Sequence, residues 1–273
     1  MNRRSFLMTP AVAAAAGAWP GAAADQPGDI KLGVASYSLR KQSFAGMVQS
    51  LKALNIRYLK MKLEAHLPLD STPARMAEAK RMLEDAGIVL ECTGNNSMDK
   101  DEAEIRSKFE FHKALGVRLL GIAPTAKTLP IIERYCKEYD IRVALHNHGP
   151  EDRNFPTPSS VLSAVKGLDR RVGLCIDVGH TARAGEDFVA AIRAAGPRLF
   201  DIDVKDLIST EPRARGCDVG DGVLPIGPMF KTLKAAHWDG VVHLEYEVAV
   251  DDPMPGMQKS IAYMRGVLAG LRA

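Results

Sequence analysis

The chain is 273 residues long, with 46% hydrophobic, 25% charged and 6% aromatic residues. That composition is globular and excludes a disordered or fibrous chain. Its formal net charge of +3 is too balanced to argue for nucleic acid, and no apolar run reaches the ~20 residues a membrane span needs.

The first element in chain order is an address. Arg3-Arg4-Ser5-Phe6-Leu7 precedes a weakly hydrophobic, Ala-rich stretch to Trp19, and Ala22-Ala23-Ala24 follows as a small-residue cleavage site. The segment resembles bacterial twin-arginine export signals, which are receptor-read addresses rather than anchors. The expectation is a signal peptide over 1–24 and a periplasmic mature protein with no stable membrane anchoring. Export permits disulfides, but the cysteines at 92, 136, 175 and 217 show no C-x-x-C spacing, so neither a zinc ribbon nor a dense disulfide scaffold is indicated.

From residue 25 onward one pattern repeats. Short apolar runs near 31–38, 58–64, 88–93, 118–123, 141–147, 172–178, 199–205 and 240–247 predict eight strands. Helical periodicity fills 43–54, 72–86, 99–115, 128–139, 158–166, 185–195 and 226–237, and an eighth helix closes the chain at 256–271. Asp70-Ser71-Thr72-Pro73 starts a helix with proline in its first turn, and Ala86-Gly87 stops it. Thr157-Pro158 and Pro225 mark later starts. Eightfold alternation, with no glycine-rich dinucleotide turn after the first strand, predicts an α/β fold made of a single (β/α)8 TIM barrel over 25–273.

Strand parity says which residues face the barrel interior. On the fifth strand, Val143, Leu145 and Asn147 oppose Arg142, Ala144, His146 and His148. On the sixth, Leu174, Ile176 and Val178 oppose Gly173, Cys175 and Asp177. On the seventh, Phe200, Ile202 and Val204 oppose Asp201, Asp203 and Lys205. On the eighth, Val242, Leu244 and Tyr246 oppose His243, Glu245 and Glu247. The greasier parity faces the helices, so four consecutive strands aim ionisable groups inward near their C-terminal ends, where barrel sites are built.

Burying these groups without partners is costly, and a divalent cation offsets that cost. Oxygen- and imidazole-rich donors suit Mn, Mg, Zn or Co. The expected ligands are His146, Asp177, Asp203 and Glu245, one from each strand. The competing structural reading is a set of mutual ion pairs with Lys205 and Arg142 as counter-charges. His148 lies higher in the mouth, as a substrate contact or as the true ligand in place of His146. His243, deeper in the barrel, reads as a satisfied polar residue. The second strand carries Lys60, Lys62 and Glu64 on one parity, then His66, and places Glu64 and His66 at the mouth as sugar contacts. Gly220-Asp221-Gly222 lacks the Lys-Ser/Thr of a nucleotide loop and reads as loop geometry.

The segments VALHNHG (143–149), LCIDVGHTARAGED (174–187), DIDVKD (201–206), VGDGVLPIGPMF (219–230) and GVVHLEYE (240–247) resemble the sugar phosphate isomerase/epimerase family of xylose-isomerase-like barrels, over essentially all of 30–270. The resemblance implies a metal held by Glu, Asp, His and Glu from strands five to eight. Asp177 and Glu245 match that pattern directly. The fifth-strand Glu falls on His146 and the seventh-strand His on Asp203, so two ligand types have exchanged places. The family also implies a supporting role in the metal or substrate shell for His180 and a place near substrate oxygens for Lys205.

The chemistry implied is that of a metal-dependent sugar isomerase or epimerase working through an enediolate. Its base is Glu245, His146 or His148, and Lys205 stabilises the developing oxygen charge. Substrate contacts are expected from His148, His180, Glu64 and His66. The missing fifth-strand glutamate weakens a two-carboxylate epimerisation and leaves lyase action on a keto-sugar or keto-glycoside as the alternative. A non-catalytic sugar-binding barrel is a second alternative. The expected partner is a small sugar substrate, and no nucleic acid is expected.

Overall fold

The computed structural model describes residues 30–272, and the segment expected to be a signal peptide lies outside them. The barrel strands are β1 (Lys31–Ala35), β2 (Tyr58–Met61), β3 (Val89–Met98), β4 (Leu119–Pro124), β5 (Arg142–His146), β6 (Val172–Asp177), β7 (Leu199–Val204) and β8 (Val241–Leu244). Neighbouring strands are parallel, and the order β1-β8-β7-β6-β5-β4-β3-β2 closes on itself. The fold is therefore the expected eight-stranded barrel, in one domain.

The eight expected helices appear as Phe44–Ala53, Pro73–Asp85, Glu102–Leu115, Leu129–Tyr139, Pro158–Val165, Phe188–Ala195, Ile226–Ala235 and Met254–Gly270. Their starts are chemically marked. The side chains of Ser43, Thr72, Asp101, Thr157 and Asp187 each accept a hydrogen bond from a first-turn amide, a cap that stabilises a helix by about 1 kcal/mol. Two short helices were not expected, Leu63–His66 and Val178–Arg183, both at the ends of strands.

Packing follows parity on most of the sheet. Val143, Leu145, Leu174, Ile176, Ile202, Val204, Val242 and Leu244 are buried in the layer between strands and helices. Phe200 departs from its expected outward side. The register of β6 against β7 shifts between Leu174 and Cys175, so Leu199 pairs with Leu174 while Asp201 pairs with Cys175. The skipped Phe200 packs with Cys92, Leu119, Ala144 and Cys175, and its ring lies where a Gly173 side chain would be, 2.5 Å from that Cβ position. Arg142 stacks its guanidinium 5.1 Å from the same ring. These residues close the N-terminal end of the shaft, and Arg142 is not the counter-charge at the mouth that parity suggested. The four cysteines are free thiols.

Candidate metal centre and active site

His146 ends β5, Asp177 ends β6, Asp203 lies one residue before the end of β7, and Glu245 follows β8 directly. The register sets Asp177 beside Asp203 and Asp203 beside His243, so the four groups reach similar depth. One ligand atom from each of His146, Asp177, Asp203 and Glu245 lies within 4.8 Å of the others. His146 Nε2 is 3.5 Å from Asp177 Oδ2 and 3.4 Å from Asp203 Oδ2. Yet His146 Nδ1 and Nε2 and Asp203 Oδ1 are buried without a hydrogen-bond partner, and Asp177 Oδ2 is met only by the Lys205 ammonium, 3.0 Å away. Orphaned buried polar atoms are rare and costly. Such atoms, in a set of one imidazole and three carboxylates that each bring a ligand atom within 4.8 Å of the others, fit a divalent transition-metal ion.

The surroundings hold these groups in place. Asn147 accepts from the Asp177 amide at 3.0 Å and donates to Thr181 Oγ1 at 3.1 Å, tying the end of β5 to the end of β6. Asp177 Oδ1 accepts from the His180 amide at 2.8 Å, which turns its Oδ2 toward the shaft. The Tyr246 amide donates to Ser38 Oγ at 2.8 Å, pinning the chain just after Glu245. Asp206 organises the excursion between β7 and β8. Its carboxylate accepts from the amides of Leu207, Gly220, Gly222 and Leu224 at 2.9–3.2 Å. The Gly220 and Gly222 amides thus bind a carboxylate of their own chain, and a Cβ at Gly222 would sit 2.2 Å from Asp206 Oδ1.

Beneath the four groups lies a layer that sequence reasoning assigned no function. Lys60 Nζ donates to Asp201 Oδ2 at 2.7 Å and to Asp203 Oδ2 by a shorter contact. Asp201 also accepts from His243 Nδ1 at 2.8 Å. Cys92, Asp201 and His243 converge like a second ligand set, but the Lys60 ammonium already supplies the cation there. Burial works against the charged Lys60, and the two aspartates overcome it and hold its pKa well above the ordinary value. Burial drives the Cys175 thiol up, so it stays protonated and donates to Asp203 Oδ2 at 3.4 Å.

The electrostatics of the four groups divide them. Burial opposes the Asp177 carboxylate, but Lys205, His180 and His146 outweigh it and hold its pKa well below the usual range. Burial also opposes His146 in its charged form, and Asp177 and Asp203 reverse that and lift it to about 9. A bound cation would take over the role of that proton. Glu245 goes the other way: burial raises its carboxyl, and Lys205 only partly offsets this. It is the one of the three carboxyls shifted toward holding a proton.

Around the rim, Lys205 Nζ lies 3.0 Å from Asp177 Oδ2, 2.9 Å from Glu245 Oε2 and 2.5 Å from Glu247 Oε1. The rings of His146, His148 and His180 form a cluster with centroids 4.5–5.8 Å apart. His146 is buried in the shaft and His148 is exposed above it, and it is His146, not His148, that joins the four converging groups. A cavity of about 120 Å³ opens beside Glu245 and Lys205, with Arg183, Leu207, Tyr246 and Val248 among its walls.

The second strand is shorter than expected. It ends at Met61 and turns into the helix Leu63–His66, so the alternation stops before Glu64. Glu64 is mostly exposed and pairs with Lys62 at 3.1 Å. His66 is buried, with Nδ1 accepting from Ser36 Oγ at 3.0 Å. Neither is brought to the four converging groups. Lys60, Asn147, Ser38 and Arg183 are the contributors that sequence reasoning missed. Only Lys60 left a signal, as a charge on the inward parity of a strand.

A closed parallel barrel with an imidazole-carboxylate cluster at the C-terminal ends of β5 to β8 defines a (β/α)8 protein with a candidate metal site. More particularly, the chain belongs to the xylose isomerase-like TIM barrel family, whose sequence profile matches residues 35–267. No curated protein matches it by sequence. Among solved structures it is similar to 3-keto-D-glucoside 4-epimerase from E. coli, at 15% identity and TM-score 0.71, covering 87% of this chain and 99% of that one. It is similar to D-psicose 3-epimerase from Clostridium cellulolyticum H10, at 16% identity and TM-score 0.68, covering 88% and 99%. An IolI protein with a bound zinc atom shares 17% identity at TM-score 0.74, covering 88% of this chain and 99% of that one.

Proposed function

We propose that this protein is a metal-dependent isomerase or epimerase of a free sugar or sugar derivative. The observation that carries the reading is the convergence of His146, Asp177, Asp203 and Glu245 within 4.8 Å, with buried atoms that lack a hydrogen-bond partner on His146 and Asp203. The named activities of the two epimerases and the zinc of the IolI protein support it. A divalent cation, when bound, acidifies the C–H between a carbonyl and a neighbouring hydroxyl.

Glu245 has two carboxylate oxygens, so one can face the cation while the other accepts the carbon-bound proton. Its raised carboxyl pKa suits a group that takes and returns a proton near neutral pH. The C–H electron pair moves onto the carbonyl oxygen, giving an enediolate, and the Lys205 ammonium donates to that oxygen. A proton returned to the adjacent carbon, with the neighbouring hydroxyl's proton passing to the former carbonyl oxygen, completes isomerisation. A proton returned to the opposite face completes epimerisation, and His148 at the rim is the group placed to deliver it.

Elimination is the second reading, and His146 in place of a fifth-strand carboxylate favours it. Expelling a β-substituent from a keto-sugar needs one base and one leaving-group acid, not a carboxylate on each face. The site of action we propose is the periplasm, supported by the Arg3-Arg4 segment and tested by sequencing the mature N-terminus, expected near Asp25.

The decisive experiment is elemental analysis of the purified protein, then turnover of keto-sugars in D2O. Stoichiometric metal, deuterium at one carbon of product, and loss of both turnover and exchange in E245Q are expected. Metal-free protein that still binds sugar would instead establish a non-catalytic binding barrel. Release of a leaving group would establish a lyase.

A further inference from the structure

His180 and Arg183 stand three residues apart on the helix Val178–Arg183, and so share a face. Arg183 Nη2 lies 2.8 Å from His180 Nδ1. A guanidinium has five N–H donors and no acceptor, so the proton in this hydrogen bond belongs to the arginine, and Nδ1 is the acceptor. We propose that Arg183 fixes the tautomer of His180, keeping the ring proton on Nε2, and that His180 therefore serves at the mouth as a hydrogen-bond donor.

Three further observations support this assignment. Among the described residues Arg183 has no carboxylate within ion-pair distance, so no acid draws its donors away from the ring. Gly149, at φ +82°, leaves the contact room: a Cβ there would lie 2.8 Å from His180 Nδ1. On the other side of the ring, Nε2 stands 4.0 Å from Asp177 Oδ2, the oxygen that also pairs with Lys205. An Nε2 lone pair would repel that oxygen and compete for its cation. An Nε2–H complements it and can instead donate to a substrate oxygen above it.

The tautomer follows from the Arg183 contact alone. Its use as a donor to a sugar oxygen rests on the reading of the site given above. Arg183 is thus a positioning residue, acting through His180.

The test is long-range 1H–15N correlation on full-length protein labelled with 15N-histidine, recorded as purified and after zinc addition, with the His180 signals assigned from their loss in H180Q. Wild-type protein is expected to show unprotonated Nδ1 and protonated Nε2. R183M is expected to lose that preference, and R183K, which keeps a donor, to retain it in part. A wild-type ring protonated on Nδ1, or a tautomer unchanged in R183M, overturns the proposal.

Once a substrate is in hand, H180Q places an amide N–H near the Nε2 position, whereas H180N places one near Nδ1. H180Q is expected to keep the larger share of kcat/KM. Equal loss in both variants, with the tautomer as stated, overturns the donor role. None of these outcomes depends on the metal analysis or on E245Q, so failure here is distinguishable from failure of the proposed function.

Discussion

Lys60 and Asp203 form an ion pair inside the barrel, although 143 residues separate them along the chain. The pair holds Asp203 by its Oδ2, the oxygen that also lies 3.4 Å from His146 Nε2, and leaves Oδ1 buried without a hydrogen-bond partner. Removing one partner of a buried pair strands the other charge. K60M is therefore expected to destabilise the protein by ~3–5 kcal/mol in urea titration. K60M/D201N, which also removes one stranded carboxylate, should recover part of that loss.

The exchange of ligand types between β5 and β7 is tied to the same lysine. Asp203 suits an ammonium beneath it, and a histidine there does not. H146E and D203H are each expected to lose stoichiometric zinc by calorimetry. The double variant H146E/D203H should regain it only when K60M is added. A double variant that binds zinc as well as wild type, with Lys60 intact, would show that the lysine and the exchange are independent.

His112 makes stability depend on pH away from the site. Its Nδ1 donates to the Lys108 carbonyl at 2.5 Å, and its Nε2 accepts from the Thr93 hydroxyl, 2.7 Å away. Burial lowers its pKa to about 4, while the unfolded ring titrates near 6.5. Between those values the unfolded chain binds the extra proton, so stability is intact above pH 6.5 and falls as pH drops toward 4. The loss approaches ~3 kcal/mol at 1.4 kcal/mol per pH unit. Urea midpoints measured from pH 7 to 4.5 should show this slope, flattened in H112Q.

Gly33 makes room for the layer below the site. An alanine Cβ there would lie 2.5 Å from His243 Cδ2, and His243 is held to Asp201 at 2.8 Å. G33A is expected to cost ~1–3 kcal/mol by overpacking. An unchanged thermal midpoint would show that the ring moves without loss.

Two periodicities made the fold and the four-group cluster legible. Period-2 alternation marked the inward side of His146, Asp177, Asp203 and Glu245, and turn chemistry separated the helices. Parity fails where a strand stops or slips. Glu64 falls outside the alternation because β2 ends at Met61, and Phe200 turned inward because β7 shifts register against β6. The pairings of Lys60 with Asp201 and Asp203 cross the barrel, and no local pattern encodes them. Arg183 follows its strand on a single helical turn, too short to carry a periodic signal.

Phe200 and Arg142 stop the foot of the barrel, which makes the shaft a blind well. Whatever binds at the mouth then enters by one orifice. Under the proposed function, loading has an order: the ion goes down first and the sugar covers it. Ion exchange is arrested for as long as the sugar stays, so a chelator competes with substrate for access rather than for the ion.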